Sequence, residues 1–322
     1  MKRYSPILII AVFLTVNTLY GQNVSYGPGY QTIIRNNPGF AGSEGVGTLR
    51  LSYLNFYPGN NFNLNSVYIS FDSYFPGIHG GAGFYISDDY LGGIINDIRG
   101  GFSYAYNLQA GRDLYINLGL TASCFYRGFN INKVILPDQI DPLNGSVNQS
   151  GETLAGRSRA AFDIGTGFLA MDGHYMVGLS VLHLTTPDLS GTGLESERVR
   201  RQVVLNASGS YQLGSSSKFL LRPIVYGEFE SGYFSSGAGS SIENDMFSLS
   251  AIVLTNSAKS TDFQAGCSFK TGRVMIFYNY KFNILSSAKM LPLSLLHQAG
   301  LTFSLNNVDK RKIANAINFP KL

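Results

Sequence analysis

The sequence predicts an all-β protein, a transmembrane antiparallel up-and-down β-barrel. Three observations lead to this prediction. Apolar and polar residues alternate along segments of about ten residues or more between residues 47 and 306. Charged residues make up 14% of the chain, against about 25% in globular proteins, whereas aromatic residues reach 13% without a tryptophan. The longest unbroken apolar run, Ile7 to Leu14, is too short for a membrane-spanning helix, which needs about 18 residues.

The first 21 residues predict a secretory signal peptide. Lys2 and Arg3 supply a positive start, residues 7 to 16 form an apolar stretch, and Gly21 is a small residue at the expected cleavage point. A buried helix at a cytosolic N-terminus is the alternative. The chain is therefore divided into a signal peptide at 1–21, an N-terminal periplasmic or plug segment at 22–46, a barrel at 47–307 and a periplasmic tail at 308–322.

The segment from 112 to 130 illustrates the alternation on which the barrel prediction depends. One of its faces is apolar and carries Leu114, Ile116, Leu118, Leu120, Ala122, Cys124 and Tyr126. The other face is mostly small and polar. We expect the apolar face to contact lipid and the polar face to line a lumen, as in transmembrane barrels. Closure of such a barrel also leaves no unpaired sheet edge in the membrane. A soluble sandwich would have shorter strands and outward faces richer in Lys and Glu.

Thirteen segments alternate clearly, and the loop lengths raise the predicted number of strands to fourteen. The segments are 47–57, 66–75, 80–89, 97–109, 112–130, 159–171, 173–185, 198–213, 217–229, 246–257, 262–270, 273–284 and 296–306. Bacterial barrels have short periplasmic turns, longer outer loops and an even number of strands. The tight turn at Thr271 and Gly272 breaks this alternation of loops unless the weak stretch 233–241 is also a strand. Fourteen strands place both termini in the periplasm; twelve and sixteen are the alternatives.

The sequence predicts no residues for catalysis or for binding a metal or cofactor. The four histidines, His79, His174, His183 and His297, are scattered over turns and strands without a nucleophile at a suitable spacing. Cys124 and Cys267 suggest two separate small side chains rather than a disulfide or a metal site. The net charge of +4 gives no support for binding nucleic acid.

Two other groups of residues have more than one interpretation. Asp88, Asp89 and Asp97 could bind Ca²⁺ through their oxygens, although a solvated cluster of carboxylates in an outer loop is favoured. The long loop from 130 to 158 is rich in turn residues, including Pro137, Asp138 and Asp141. This loop could fold into the barrel mouth, present a protein-binding surface or only cap the barrel.

Several short motifs resemble those of the PorP/SprF family, outer-membrane proteins of the type IX secretion and gliding-motility systems. The most specific motif follows the predicted mature N-terminus and comprises Asn36, Asn37, Pro38, Gly39, Phe40, Ala41 and Gly42, with Gly39 in place of the usual Ala. Further similarities lie at 70–72, 81–92, 178–187, 297–299 and 317–322. Together they span nearly the whole predicted mature chain.

The resemblance implies a non-catalytic outer-membrane component that supports secretion or surface anchoring of type IX substrates such as adhesins. Its implied partners are a secreted surface protein, components of the secretion machinery such as a periplasmic ring or lipoprotein, and outer-membrane lipid. Residues 36–42 would bind a partner or plug the lumen, with Phe40 as the anchor between flexible glycines. Phe319 and Pro320 in the tail would dock a periplasmic component. A passive channel or small-solute transporter is the alternative function.

Overall fold

The computed structural model describes residues 30–56, 64–92, 95–129, 139–140, 158–190, 198–214, 218–285 and 296–305. These residues form one closed antiparallel sheet around a short N-terminal segment. Its strands are β1 (Gly47–Phe56), β2 (Leu64–Phe75), β3 (Gly80–Leu91), β4 (Ile95–Gln109), β5 (Leu114–Phe129), β6 (Arg159–Asp172), β7 (Tyr175–Leu182), β8 (Gln202–Gly209), β9 (Tyr211–Gln212), β10 (Leu220–Glu230), β11 (Tyr233–Glu243), β12 (Phe247–Asn256), β13 (Thr261–Thr271), β14 (Val274–Leu285) and β15 (Leu296–Leu305).

The closed barrel has fourteen strands. β8 and the two-residue β9 are parts of one barrel strand, because both pair with β10 and only Ser210 separates them. Each strand pairs with its neighbours in the sequence, and β15 pairs with β1 to close the sheet. The predicted fold class and strand number are confirmed.

The weak stretch that raised the predicted number to fourteen is a full strand, β11. It pairs along its length with β10 on one side and β12 on the other. Gly237 and Gly239 weaken its apolar signal, but a Cβ on either would come closer than 3.0 Å to atoms of β12. The glycines therefore permit close packing inside the barrel, and they do not interrupt the strand.

The two ends of the barrel differ in the length of their connections. At the end that we call the turn end, the strands are joined by residues 76–79, 110–113, 173–174, 213–219, 244–246 and 272–273. The opposite, long-loop end carries the two longest connections, 130–158 and 183–201, together with shorter ones such as 231–232 and 257–260. The loop predicted at 90–96 is shorter, because β3 and β4 extend to Leu91 and Ile95.

Two predicted strand boundaries at the long-loop end were wrong. The strand expected over 173–185 ends at Leu182, since His183 adopts a left-handed backbone conformation with φ of 58°. The strand expected to begin at residue 198 begins at Gln202. The preceding residues turn back instead, and the Val199 amide donates to the Pro187 carbonyl.

The faces of β5 separate as the alternation predicts. Leu118 and Leu120 point outward and are 55% and 60% exposed. Asn117, Thr121 and Ser123, on the other face, are buried in the barrel. No helix in the described part of the chain has the length and apolarity to cross a membrane. Large apolar side chains on the outside and polar ones inside are the arrangement of a membrane barrel.

The interior of the barrel is filled in part by residues 30–46. This segment contains a 3₁₀ turn (Tyr30–Thr32), the one-turn helix α1 (Ile33–Asn36) and a second 3₁₀ turn (Pro38–Phe40). Ile34 and Phe40 are at most 1% exposed and belong to one apolar cluster with side chains from the barrel wall, including Leu54 and Leu169.

Candidate functional site

Local sequence explains how residues 36–42 turn inside the barrel. Asn37 is extended, with φ of −151° and ψ of 109°, which is the conformation favoured before a proline. Its side-chain oxygen accepts a hydrogen bond from the Gly39 amide at 2.8 Å and caps the 3₁₀ turn that Pro38 begins. Gly42 has φ of 67°, a conformation that a side chain would strain, and turns the chain towards β1.

Polar contacts hold this segment to four strands of the wall. The contacts join residues 30 to 144 positions apart in the sequence, so they depend on the closed barrel. They are Asn37 Nδ2 to the Phe168 carbonyl (3.2 Å), Asn117 Nδ2 to the Gly39 carbonyl (3.1 Å), Ser180 Oγ to the Asn36 carbonyl (2.6 Å) and the Gly42 amide to Asp72 Oδ2 (2.8 Å). The segment is thus bonded to β2, β5, β6 and β7.

Glycines on the inner wall provide the space for this segment. A Cβ added to Gly81 would come closer than 3.0 Å to Ala41, and one on Gly119 would come that close to Gly39. A Cβ added to Gly167 would likewise come closer than 3.0 Å to Asn37. The contact of these wall glycines with residues 36–42 was not identified from the sequence.

A buried ionic cluster lies where the segment joins β1, towards the turn end of the barrel. Arg50 forms ion pairs with Glu44 and with Asp72. The Asp72 carboxylate also accepts the hydrogen bond from the Gly42 amide described above, and Glu44 accepts a hydrogen bond from the Thr48 hydroxyl at 2.9 Å. Asp72 and Arg50 are 1% and 3% exposed. This cluster therefore connects the interior segment and β1, which follows it in the chain, to the neighbouring strand β2.

A second ionic cluster lies towards the long-loop end, and it corrects the prediction for Asp88, Asp89 and Asp97. Only Asp88 points outward; Asp89 and Asp97 are inside the barrel and are not a solvated loop cluster. The Asp89 carboxylate lies 3.6 Å from the Arg35 guanidinium and 3.9 Å from that of Arg99. Their partners are arginines, so the alternative of a calcium site is not supported either.

A small cavity lies between α1 and the long-loop end. Its volume is about 20 Å³, and the residues around it include Arg35, Asn36, Arg99, Asp163, His183 and Glu228. The His183 imidazole Nδ1 lies 2.8 Å from Asp163. A cavity of this size holds one or two water molecules and does not form a path for a solute.

The connection between β7 and β8 folds back into the mouth of the barrel. Leu189 and Val199 are buried and pack against Phe125 of β5. Arg159 donates a hydrogen bond to the Ser190 carbonyl at 2.8 Å. Left-handed conformations at His183 and Thr186 start this turn. The part of the connection that the structure describes therefore covers one side of the mouth.

The histidines and cysteines are dispersed over the barrel. His79 and His174 lie at the turn end, whereas His297 points outward and forms a 2.6 Å hydrogen bond with the Tyr278 hydroxyl. Cys124 and Cys267 are exposed and unbridged. Among the described residues, no group of three or more His, Cys, Asp or Glu side chains is arranged to hold a metal ion.

The structure thus brings one predicted set of site residues together. Asn36 to Gly42 lie inside the barrel, and the residues that contact them, among them Asp72, Asn117 and Ser180, were not identified from the sequence. The other predicted site residues fall outside the described part of the chain: Pro137, Asp138, Asp141, Phe319 and Pro320.

The chain resembles solved outer-membrane barrels. A deletion mutant of the monoaromatic hydrocarbon channel TodX is 11% identical, with a TM-score of 0.52 over 85% of this chain and 94% of that one. The Pseudomonas putida toluene transporter TodX is 9% identical, with a TM-score of 0.48 over 88% of this chain and 98% of that one. Omp33 of Acinetobacter baumannii is 7% identical, with a TM-score of 0.47 over 81% of this chain and 98% of that one. At these identities the likeness concerns the fold alone. A search of curated proteins finds no match.

A family profile gives more specific information. The profile of the type IX secretion system membrane protein PorP/SprF matches residues 22–303, which include the segment inside the barrel and nearly all of the sheet. Together with the membrane-barrel fold, this match places the protein in the outer membrane. The chain belongs to the PorP/SprF family of type IX secretion system membrane proteins.

Proposed function

We propose that this protein is a non-catalytic outer-membrane scaffold that supports the secretion or cell-surface anchoring of type IX substrates such as adhesins. The observation that carries the proposal is that residues 30–46 occupy the barrel interior and are bonded to its wall. A lumen filled in this way is suited to holding a partner and not to passing one through. The family supplies the link to type IX secretion.

In this proposal residues 36–42 act as a plug. Phe40 supplies the apolar anchor, and the Asn37 side chain both caps the turn and bonds to β6. The contacts with glycines favour a plug over a partner-binding element, because the segment is enclosed by the protein's own wall. Partners would then approach the loops or the tail, where Asp138 or Phe319 could contribute.

The remaining assignments follow from the same proposal. Residues 1–21 direct export, and residues 308–322 extend into the periplasm, where they contact a ring or lipoprotein of the secretion machinery. The long-loop end faces the outside of the cell and receives the secreted protein. The alternative, a passive channel, would need a continuous aqueous path through an interior that contains the segment 30–46.

Deletion of the gene tests the proposed function. We expect one or more surface proteins to be lost from the cell surface while general membrane integrity, measured as sensitivity to a large antibiotic, is unchanged. Complementation with the full-length gene should restore surface display. Unchanged display of all type IX substrates in the deletion strain would contradict the proposal.

A further inference from the structure

We propose that residues 30–41 of the interior segment can be withdrawn from the barrel through its turn end while the fourteen strands stay closed. The course of the segment carries this inference. It begins near the turn end, where Gln31 accepts a hydrogen bond of 2.9 Å from the Thr302 hydroxyl, three residues before the end of β15. It finishes near the same end, where the Gly42 amide donates to Asp72, three residues before the end of β2.

The middle of the segment reaches towards the long-loop end. Arg35 lies 3.6 Å from Asp89, two residues before the end of β3. The carbonyl of the next residue, Asn36, accepts a hydrogen bond of 2.6 Å from Ser180, two residues before the end of β7. The segment is thus a loop whose apex lies near the long-loop end and whose two ends lie at the turn end. A loop of this shape leaves a barrel without threading one end past the wall.

Withdrawal leaves the hydrogen bonds of the sheet in place. Each barrel strand pairs with its two neighbours, and residues 30–41 do not belong to the sheet. The inner wall beside the segment carries polar side chains, such as Asn117, Thr121 and Ser180. Because polar side chains line the water-filled interiors of membrane barrels, this wall is compatible with water in place of the segment.

The hinge for this movement lies between the segment and β1. Gly42 and Gly45 have φ of 67° and 72°, conformations that glycine adopts without strain. The fixed side of the hinge is the ionic cluster, in which Glu44 and Asp72 pair with Arg50. A pull on the chain ahead of the segment therefore loads this cluster only after residues 30–41 have left the wall.

The contacts that resist withdrawal differ in kind from those that hold a strand. The segment is held by side-chain bonds spread along it, such as that of Asn37 to the Phe168 carbonyl at 3.2 Å, and by the buried apolar side chains of Ile34 and Phe40. A pull from one end breaks these contacts one after another. In contrast, β1 is bonded to β2 and β15 along nearly all of its length. We therefore expect residues 30–41 to open as a separate unit, at a lower load than the strands.

Withdrawal converts a closed barrel into an open one in response to a pull from the turn end. The proposed function needs only the closed barrel at rest. The inference therefore goes beyond that function and does not rest on it.

Single-molecule force spectroscopy on the full-length protein in a lipid bilayer tests the inference. The chain is pulled by its N-terminus from the side of the turn end. We expect a first event that releases about 40 Å of chain, the extended length of residues 30–41 at 3.3–3.6 Å per residue. Its force should be lower than that of the later events, which remove strands. Relaxation after the first event should let the segment return, so that the next pull repeats it.

Two matched variants show whether the first event belongs to the segment. Asn37→Ala removes the bond to the Phe168 carbonyl and should lower the force of the first event alone. Asn279→Ala is the control, because it removes a bond of 3.1 Å to Gln298 between β14 and β15 and should leave the first event unchanged.

Pulling the unsubstituted protein by its C-terminus decides the question if Asn37→Ala does not fold. This pull should remove strands without an early release of 40 Å. Removal of β1 together with the segment, a first event as strong as the later ones, or the same first release from both termini would overturn the inference. A first-event force that Asn37→Ala leaves unchanged would overturn it as well.

Discussion

Gly119 of β5 faces Gly39 of the interior segment so closely that no side chain fits between their backbones. A Cβ added to Gly119 would come closer than 3.0 Å to the Gly39 amide nitrogen and to the Pro38 carbonyl carbon. The neighbouring Asn117 donates a hydrogen bond to the Gly39 carbonyl at 3.1 Å. One strand thus provides both the space for the turn and a bond that holds it.

This contact predicts that Gly119→Ala destabilises the protein. The obstructing atoms belong to the backbone, so the plug or the strand must shift, at a cost of about 1–3 kcal/mol. Urea unfolding followed by far-UV circular dichroism measures the loss. Gly77→Ala is the control, because nothing lies within 4 Å of its added Cβ and we expect no comparable change. Equal stability of the two variants would contradict the close packing of plug and wall.

The ionic cluster at the start of β1 predicts a larger effect for Asp72→Asn. The substitution leaves the Arg50 guanidinium buried with Glu44 as its remaining carboxylate partner. Removing one member of a buried ion pair costs about 3–5 kcal/mol, and the same unfolding measurement should detect it. Asp88→Asn on the outer face of β3 is the matched control and should change stability little. A loss of stability no larger than that of the control would show that Asp72 does not hold the plug.

The membrane-facing surface predicts that the cost of a charge depends on its position along β5. Leu120→Arg places a charge near the middle of the strand and should cost about 2–4 kcal/mol, whereas Leu114→Arg at the turn end should cost about 0–1 kcal/mol. Equilibrium unfolding from phospholipid vesicles compares the two variants. Equal costs at both positions would argue against lipid along this face.

The outside of the barrel was predictable from the sequence, and much of its inside was not. Leu118 and Leu120 were assigned to the lipid face because side-chain alternation is a local property of a strand. The contact between Gly119 and Gly39 joins positions 80 residues apart, so it depends on how the strands are ordered and closed. A glycine on the inner wall gives no signal of what lies against it.

The errors at Asp89 and His183 have physical reasons as well. Asp88 and Asp89 were treated as one cluster at the end of a strand, but β3 continues to Leu91 and sends the two side chains to opposite faces. His183 was placed within a strand, since its neighbours are apolar. Its left-handed conformation is stabilised by tertiary contacts, such as that with Asp163, which the local pattern does not contain.

Single-channel recording in planar lipid bilayers tests most directly the central claim that the interior segment closes the barrel. We predict that the purified full-length protein shows no steady conductance. A variant lacking residues 30–40, with β1 intact, should show stable openings if it forms the same barrel, as judged by circular dichroism. Steady ion conductance of the full-length protein, equal to that of the shortened variant, would contradict a plugged scaffold and support a passive channel.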